Sequence, residues 1–196
     1  MPAHDRILAA AFTAFTERGF AQTSTLDIAT RAKVSKRELY ALFDSKHDML
    51  VACITSYAEK LRPPADLPAP RTRAELATAL STYGAQLLRE LTSPTVVAVF
   101  RLAIAEATAT PTIAETLERD ARAPTRAALV DLFSTAREAD LLEGSPQELA
   151  DTFTSELLGT LFLSLLLGVA KAPTPRQIKA RSDRAAAIVL QLHAGG

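Results

Sequence analysis

Apolar residues recur at helical spacing through most of the chain, and prolines divide that periodicity into segments. Pro63-Pro64, Pro68, Pro70, Pro94, Pro111, Pro124, Pro146, Pro173 and Pro175 fall at the junctions. Between them Ala, Leu, Glu and Arg dominate, all strong helix formers. Alternating strand patterns bounded by turn residues are absent, and the 196 residues include only seven Gly. The reading is therefore all-α, with about nine or ten helices. A hydrophobic share of 48% is ample for a packed core and too high for a disordered chain. One Cys, Cys53, excludes an intrachain disulfide, and the scattered His4, His47 and His193 lack metal-ligand spacing. No metal and no cofactor is implied. Met1–Ala14 carries Asp5 and Arg6 and has no long apolar run, unlike a signal peptide. The most apolar stretch, Leu157–Ala170, falls short of the roughly 20 residues of a membrane span. A cytoplasmic protein without a membrane partner is expected.

The periodic segments run from about Ala3 to Arg18, Thr25 to Ala32, Lys36 to Phe43 and Lys46 to Arg62. After a proline-rich linker over Pro63–Arg73, helices are expected at about Arg73–Leu91, Pro94–Ala107, Pro111–Ala121, Pro124–Ala139, Pro146–Ala170 and Pro175–His193. Gly19 stops the first helix. Ser24 or Thr25 can cap the second, whose apolar members are Leu26, Ile28 and Ala29. Ser35 with Glu38 reads as a capping box for the third, and Ser45 with Asp48 as a shorter version for the fourth. These boundaries suggest a small N-terminal helical domain over 1–46 and a larger helical bundle over 47–196.

Thr25 to Phe43 has the physics of a helix-turn-helix. Two short helices flank Lys33-Val34-Ser35, and Ile28, Ala29, Val34 and Leu39 are spaced to lock them together. Such a pair presents its second helix to a DNA major groove. The chain as a whole carries 22 basic and 22 acidic residues, a net charge of zero. Locally the balance differs. Arg31, Lys33, Lys36, Arg37 and Lys46 against Glu38 and Asp44 leave +3 over Arg31–His47.

The residues Arg6-Ile7-Leu8, Ala10-Ala11, Phe15, Glu17, Gly19-Phe20, Thr23-Ser24, Ile28-Ala29, Ala32, Val34-Ser35, Leu39-Tyr40, Phe43, Ser45-Lys46 and Leu50 resemble the TetR-family repressor signature. From Arg101 to Gly168 the chain looks like the AcrR/AefR-type branch. The resemblance implies that the second helix of the motif reads bases through Lys36, Arg37 and Ala41, where Arg or Lys can donate to guanine edges. It also implies phosphate contacts from Tyr40 and Lys46. Thr25 can offer its hydroxyl and backbone N–H to phosphate, and Ser35 at the turn completes the set of candidate DNA contacts. Two positions depart from the family pattern. Lys33 stands where Gly is usual, and Leu42 stands where a polar or aromatic residue usually faces the DNA backbone.

In the bundle, Tyr83, Gln86, Leu87, Phe100, Arg101, Ile104, Phe153, Glu156, Leu157 and Thr160 mix polar groups with apolar wall. Converging, they would orient a small apolar or amphipathic effector; otherwise the polar members pair with one another or reach solvent. Leu157, Leu158, Leu161, Phe162, Leu165 and Leu166 cover too much of one helix for a single core face, and Ile178, Ile188, Val189 and Leu192 add a second stripe. A two-fold dimer joining both helices would bury them, with Leu158, Phe162, Leu165, Leu166, Ile188 and Leu192 at the interface. The expected function is a ligand-responsive repressor that binds a palindromic double-stranded operator as a homodimer. Two other classes fit the residues less well. A helical enzyme needs a nucleophile–base pair, a metal cluster or a phosphate loop, and none is visible. A partner-binding module leaves the basic cluster within the motif unexplained.

Overall fold

The computed structural model describes residues 1–58, 61 and 69–193. The described residues are helical throughout, without a strand. The helices are α1 (Ala3–Arg18), α2 (Thr25–Ala32), α3 (Lys36–Leu42), α4 (Lys46–Ala58), α5 (Arg73–Leu91), α6 (Pro94–Glu106), α7 (Pro111–Leu117), α8 (Ala123–Glu138), α9 (Pro146–Leu158), α10 (Leu161–Leu166) and α11 (Pro175–Leu192). The expected end of the fourth helix and most of the proline-rich linker lie outside the described residues. Internal contacts divide the chain into two compact units: Met1–Glu59 with Ala98–Ala121, and Lys60–Val97 with Arg122–Gly196.

In the first unit α1 packs on α2 and α4, and α4 on α7. Ile7, Ala11, Ala14 and Phe15 of α1 are buried as their spacing requires, together with Ile28, Ala29, Leu39, Met49, Leu50, Cys53 and Ile54. Leu26 behaves differently from its expected place among the apolar members of α2. It is 61% exposed. The buried stripe of α2 is Ile28, Ala29 and Ala32, and residue 26 lies two positions from Ile28, on the opposite side of a 3.6-residue turn.

Both capping boxes of the motif are present. Ser24 Oγ accepts from Asp27 N and Ser35 Oγ from Glu38 N, each at 3.1 Å, and both carboxylates accept from their cap's backbone N–H. The Ser24 hydroxyl and N–H hold the Asp27 carboxyl below its usual range. The Ser35 N–H and hydroxyl do the same for Glu38. A lowered folded-state pKa means that these caps act fully at neutral pH and fade only as acid protonates the carboxylates.

The turn between α2 and α3 passes through Lys33 at φ 54°, ψ 48°, the left-handed region. A lysine Cβ there crowds the following carbonyl, at a cost of roughly 1–2 kcal/mol. Glycine removes the crowding but gains freedom in the unfolded chain, which returns about 0.4–1 kcal/mol. Lys33→Gly is therefore expected to stabilise the chain by about 0.5–1 kcal/mol, read as a higher urea midpoint at unchanged slope.

In the second unit α5 lies along α11, α11 packs on α9, and α9 on α8. Leu76, Leu80, Tyr83, Leu87, Leu129, Phe133, Leu149, Phe153, Leu157, Ala185 and Val189 form its core. Gly84 permits the close approach at its centre: a Cβ there would lie 2.9 Å from Phe153 Cζ and 3.4 Å from Ser182 Cβ. Arg73 ties the ends of the unit together, donating to the carbonyls of Leu141 at 2.9 Å and Leu190 at 2.5 Å.

Two expected helix boundaries change. The expected helix over Pro146–Ala170 is two helices, because α9 stops at Gly159, whose φ is 46°. Arg181 donates from Nε to the Leu157 carbonyl at 2.9 Å and from Nη2 to that of Leu158 at 3.0 Å. Those are carbonyls that a continuing helix would have used. A side chain at residue 159 would meet the same guanidinium, since a Cβ there lies 2.8 Å from Arg181 Nη2. Between the helices expected at Pro111–Ala121 and Pro124–Ala139, the chain does not loop out. Glu118–Arg122 form a π-helical turn that runs into α8. Pro124 lacks an N–H and its ring crowds the carbonyl four residues back, and a widened turn there accommodates both.

Candidate nucleic-acid interface

The α2–α3 pair with its connecting turn carries the candidate contacts except Lys46, which opens α4. Lys36, Arg37, Tyr40 and Ala41 of α3 are exposed, whereas Leu39 is fully buried and holds the helix to the domain. Thr25 and Tyr40 meet across the motif, their hydroxyl oxygens 3.1 Å apart, so the two helices are registered by a bond at the surface itself. Lys36 Nζ lies 5.9 Å from the Tyr40 ring centroid, a loose cation–π contact. Ser35 is exposed at the N-cap of α3. Leu42 is 46% exposed.

The cations around the motif divide by geometry. Arg31 pairs with Glu17 at 2.8 Å and Arg18 with Asp27 at 3.7 Å. Arg6 donates to the Ala32 carbonyl at 3.1 Å, at the C-terminal end of α2. The Lys46 ammonium lies 2.6 Å from the Phe20 carbonyl oxygen and 3.0 Å from that of Thr23. The side chains of Lys33 and Arg37 have no hydrogen-bond or ion-pair partner among the described residues. The +3 cluster visible in the sequence thus narrows to Lys33, Lys36 and Arg37 as the charges least engaged within the domain. Sequence spacing carries no signal for this division, because each partner is 14 or more residues away or belongs to the backbone, save the nearer Arg18–Asp27 pair.

Cys53 is buried, and burial pushes its thiol up to about 12, so it is uncharged and a poor nucleophile at neutral pH. His47 is half-buried and its Nε2 lies 3.3 Å from Thr112 Oγ1. Among the described residues no group of three His, Cys, Asp or Glu side chains could hold a metal ion, and no helix is long and apolar enough to cross a membrane.

The candidate effector residues fall in both units. In the second, Tyr83, Leu87, Phe153 and Leu157 are buried, Gln86 is half-buried, and Glu156 and Thr160 are exposed. Tyr83 Oη donates to the Leu61 carbonyl at 3.2 Å, and burial raises its pKa. Phe153 meets Phe133 edge to face, with centroids 6.4 Å apart. In the first unit Phe100 is buried, and Arg101 and Ile104 are exposed. Of the candidate dimer residues, Leu165 is buried, Leu158, Phe162, Leu166 and Ile188 are half-buried, and Leu192 is 67% exposed.

Comparison with known proteins agrees with this architecture. The family described as "Bacterial regulatory proteins, tetR family" matches residues 7–53. The family described as "AefR-like transcriptional repressor, C-terminal domain" matches residues 78–194. The chain belongs to the TetR family of transcriptional regulators. Among solved structures it is 31% identical to the flavonoid-responsive regulator FrrA over 97% of this chain and 96% of that one, with a TM-score of 0.78. A TetR transcriptional regulator from Agrobacterium tumefaciens is 25% identical, covers 98% and 94%, and has a TM-score of 0.82. The fold is shared with a TetR-family regulator from Pseudomonas syringae pv. tomato, 24% identical over 96% and 95%, at a TM-score of 0.68. No curated protein matches the chain. TetR-family regulators are DNA-binding repressors, generally ligand-responsive, and act by binding rather than by catalysis.

Proposed function

We propose that this TetR-family regulator is a ligand-responsive repressor that binds a palindromic operator as a homodimer. The observation that carries the reading is the exposed face of α3. Lys36, Arg37, Tyr40 and Ala41 point outward from a helix anchored by Leu39 and capped at both ends of its capping box. In this reading Arg37 and Lys36 donate to guanine edges, and Ala41 lies against a base. Thr25, Ser35 and Tyr40 contact phosphate, and Lys46, the first residue of α4, stands behind the start of α2. The DNA-binding domain is residues 1–46, and 47–196 bind effector and partner protomer.

Homodimerisation is supported by apolar side chains left open on α10, in the turn after it and at the end of α11. Leu163, Leu167, Val169 and Leu192 are 58–76% exposed. Beside them are the half-buried Leu158, Phe162, Leu166 and Ile188 and the buried Leu165. A two-fold four-helix interface would bury this surface and set two recognition helices about 34–36 Å apart. The effector is a small apolar or amphipathic molecule, released control being the consequence of its preference for the geometry that does not fit DNA. Support comes from the apolar core around Tyr83, Leu87, Phe153 and Leu157, and from the flavonoid-responsive relative. Gln86, Glu156 and Thr160 of the same unit complete the proposed effector contacts, and Phe100, Arg101 and Ile104 belong to the other unit.

Footprinting on DNA flanking the regulator's own gene, with sedimentation of the protein alone, tests this. The expected result is a dimer protecting one palindromic site. A monomer, or protection indifferent to sequence, overturns it.

A further inference from the structure

The geometry points to Lys46 as a positioning residue that holds the approach to α2, and not as a phosphate contact. Lys46 is the first residue of α4. Its Nζ faces the carbonyl oxygens of Phe20 at 2.6 Å, Thr23 at 3.0 Å and Ala21 at 3.5 Å. It also sits over the Phe20 ring, 4.4 Å from the centroid. An ammonium has three protons, and three carbonyls and a π face already surround this one. The Phe20 ring is itself fixed against Phe15, with centroids 5.3 Å apart.

The held segment leads directly into the candidate DNA surface. Thr23 is buried, and its hydroxyl donates to the carbonyls of Gly19 at 2.8 Å and Ala14 at 3.1 Å. Ser24 follows as the N-cap of α2, and Thr25 as the partner of Tyr40. Four carbonyls of one short loop thus converge on two side chains, Lys46 and Thr23. Without the ammonium, the Phe20 and Thr23 carbonyls lose their charged donor and the start of α2 loses its anchor to α4. A phosphate contact would require Lys46 to give up these bonds whenever DNA binds. Remaining in place, it acts on DNA only through the position of Thr25 and Tyr40.

This inference rests on the operator-binding reading above, and its test separates the two. A phosphate contact contributes to counterion release, so its removal flattens the dependence of affinity on salt by about 0.9 per contact. A positioning residue lowers affinity and leaves that slope alone. Operator affinity is to be measured from about 50 to 200 mM salt for the wild-type chain, Lys46→Met and Lys46→Arg. Amide hydrogen exchange at Thr23, Asp27 and Ile28 is to be followed in parallel on the DNA-free proteins.

Lys46→Met is expected to weaken operator binding roughly tenfold to a hundredfold, the range of a lost charged hydrogen bond. The slope stays at the wild-type value and exchange at the three amides accelerates. Lys46→Arg is expected to weaken binding too, because a planar guanidinium cannot follow the compact ammonium among three carbonyls, although it serves a phosphate at least as well. A shallower slope with unchanged exchange, or full affinity in Lys46→Arg, overturns the inference. Should Lys46→Met fail to fold, Lys46→Arg alone decides. If the wild-type chain binds no DNA selectively, the operator reading falls, and the exchange rates still decide whether Lys46 holds the loop.

Discussion

Phe153→Ala is expected to remove about 3–5 kcal/mol of stability, the usual cost of deleting a large aromatic side chain from a packed core. Phe153 is fully buried, meets Phe133 edge to face, and fills the space that Gly84 leaves on α5. Three helices therefore lose contacts at once, and none can close the gap easily. Gly84 has no side chain to move, and Phe133 is itself fully buried. The urea midpoint should fall with little change in slope. A loss below about 1 kcal/mol would mean that the site collapses around the missing ring, contrary to the packing described. The same substitution bears on the effector proposal. A small apolar compound that binds the resulting cavity should return part of the lost stability by mass action.

Arg37→Ala is expected to have the second largest effect, on recognition and not on folding. Arg37 is exposed and its side chain has no hydrogen-bond or ion-pair partner among the described residues, so its truncation breaks nothing within the domain. A bidentate guanine contact is worth about 1–3 kcal/mol of discrimination, and a symmetric dimer loses two. Operator affinity should fall roughly thirtyfold to twenty-thousandfold. Affinity for unrelated DNA should fall far less, since only one charge per protomer is removed. Binding to a set of operators varied one base pair at a time should show relaxed preference at one position in each half-site. A uniform loss across all sequences would instead make Arg37 a phosphate contact.

The expected motif and the observed one agree closely because its determinants are local. Ser24 with Asp27 and Ser35 with Glu38 are three residues apart, and a capping box needs nothing beyond that spacing. Gly19 ends α1 at a positive φ for the same kind of reason. Leu26 is a position that local spacing does not settle. Apolar character placed it with Ile28 and Ala29, but which face of α2 is covered depends on where α1 lies. The π turn before Pro124 was hidden for a related reason. Proline announces an interruption, and whether the chain breaks or widens depends on what packs around it.

The helical class, the capped α2–α3 pair and the resemblance to TetR-family regulators are legible in the chain before it folds. Each follows from periodicity and from side chains acting within one turn of their own backbone. How the cations are used and where the apolar run after Pro146 stops depend instead on contacts distant in the chain. Arg181 caps α9 from 23 and 24 residues away, and Lys46 holds carbonyls 23 and 26 residues before it. The acceptors are backbone oxygens, which every residue carries and no residue type reveals. A long cationic side chain therefore reads the same in the sequence whether it reaches for DNA or for its own chain, and only the fold tells the two apart.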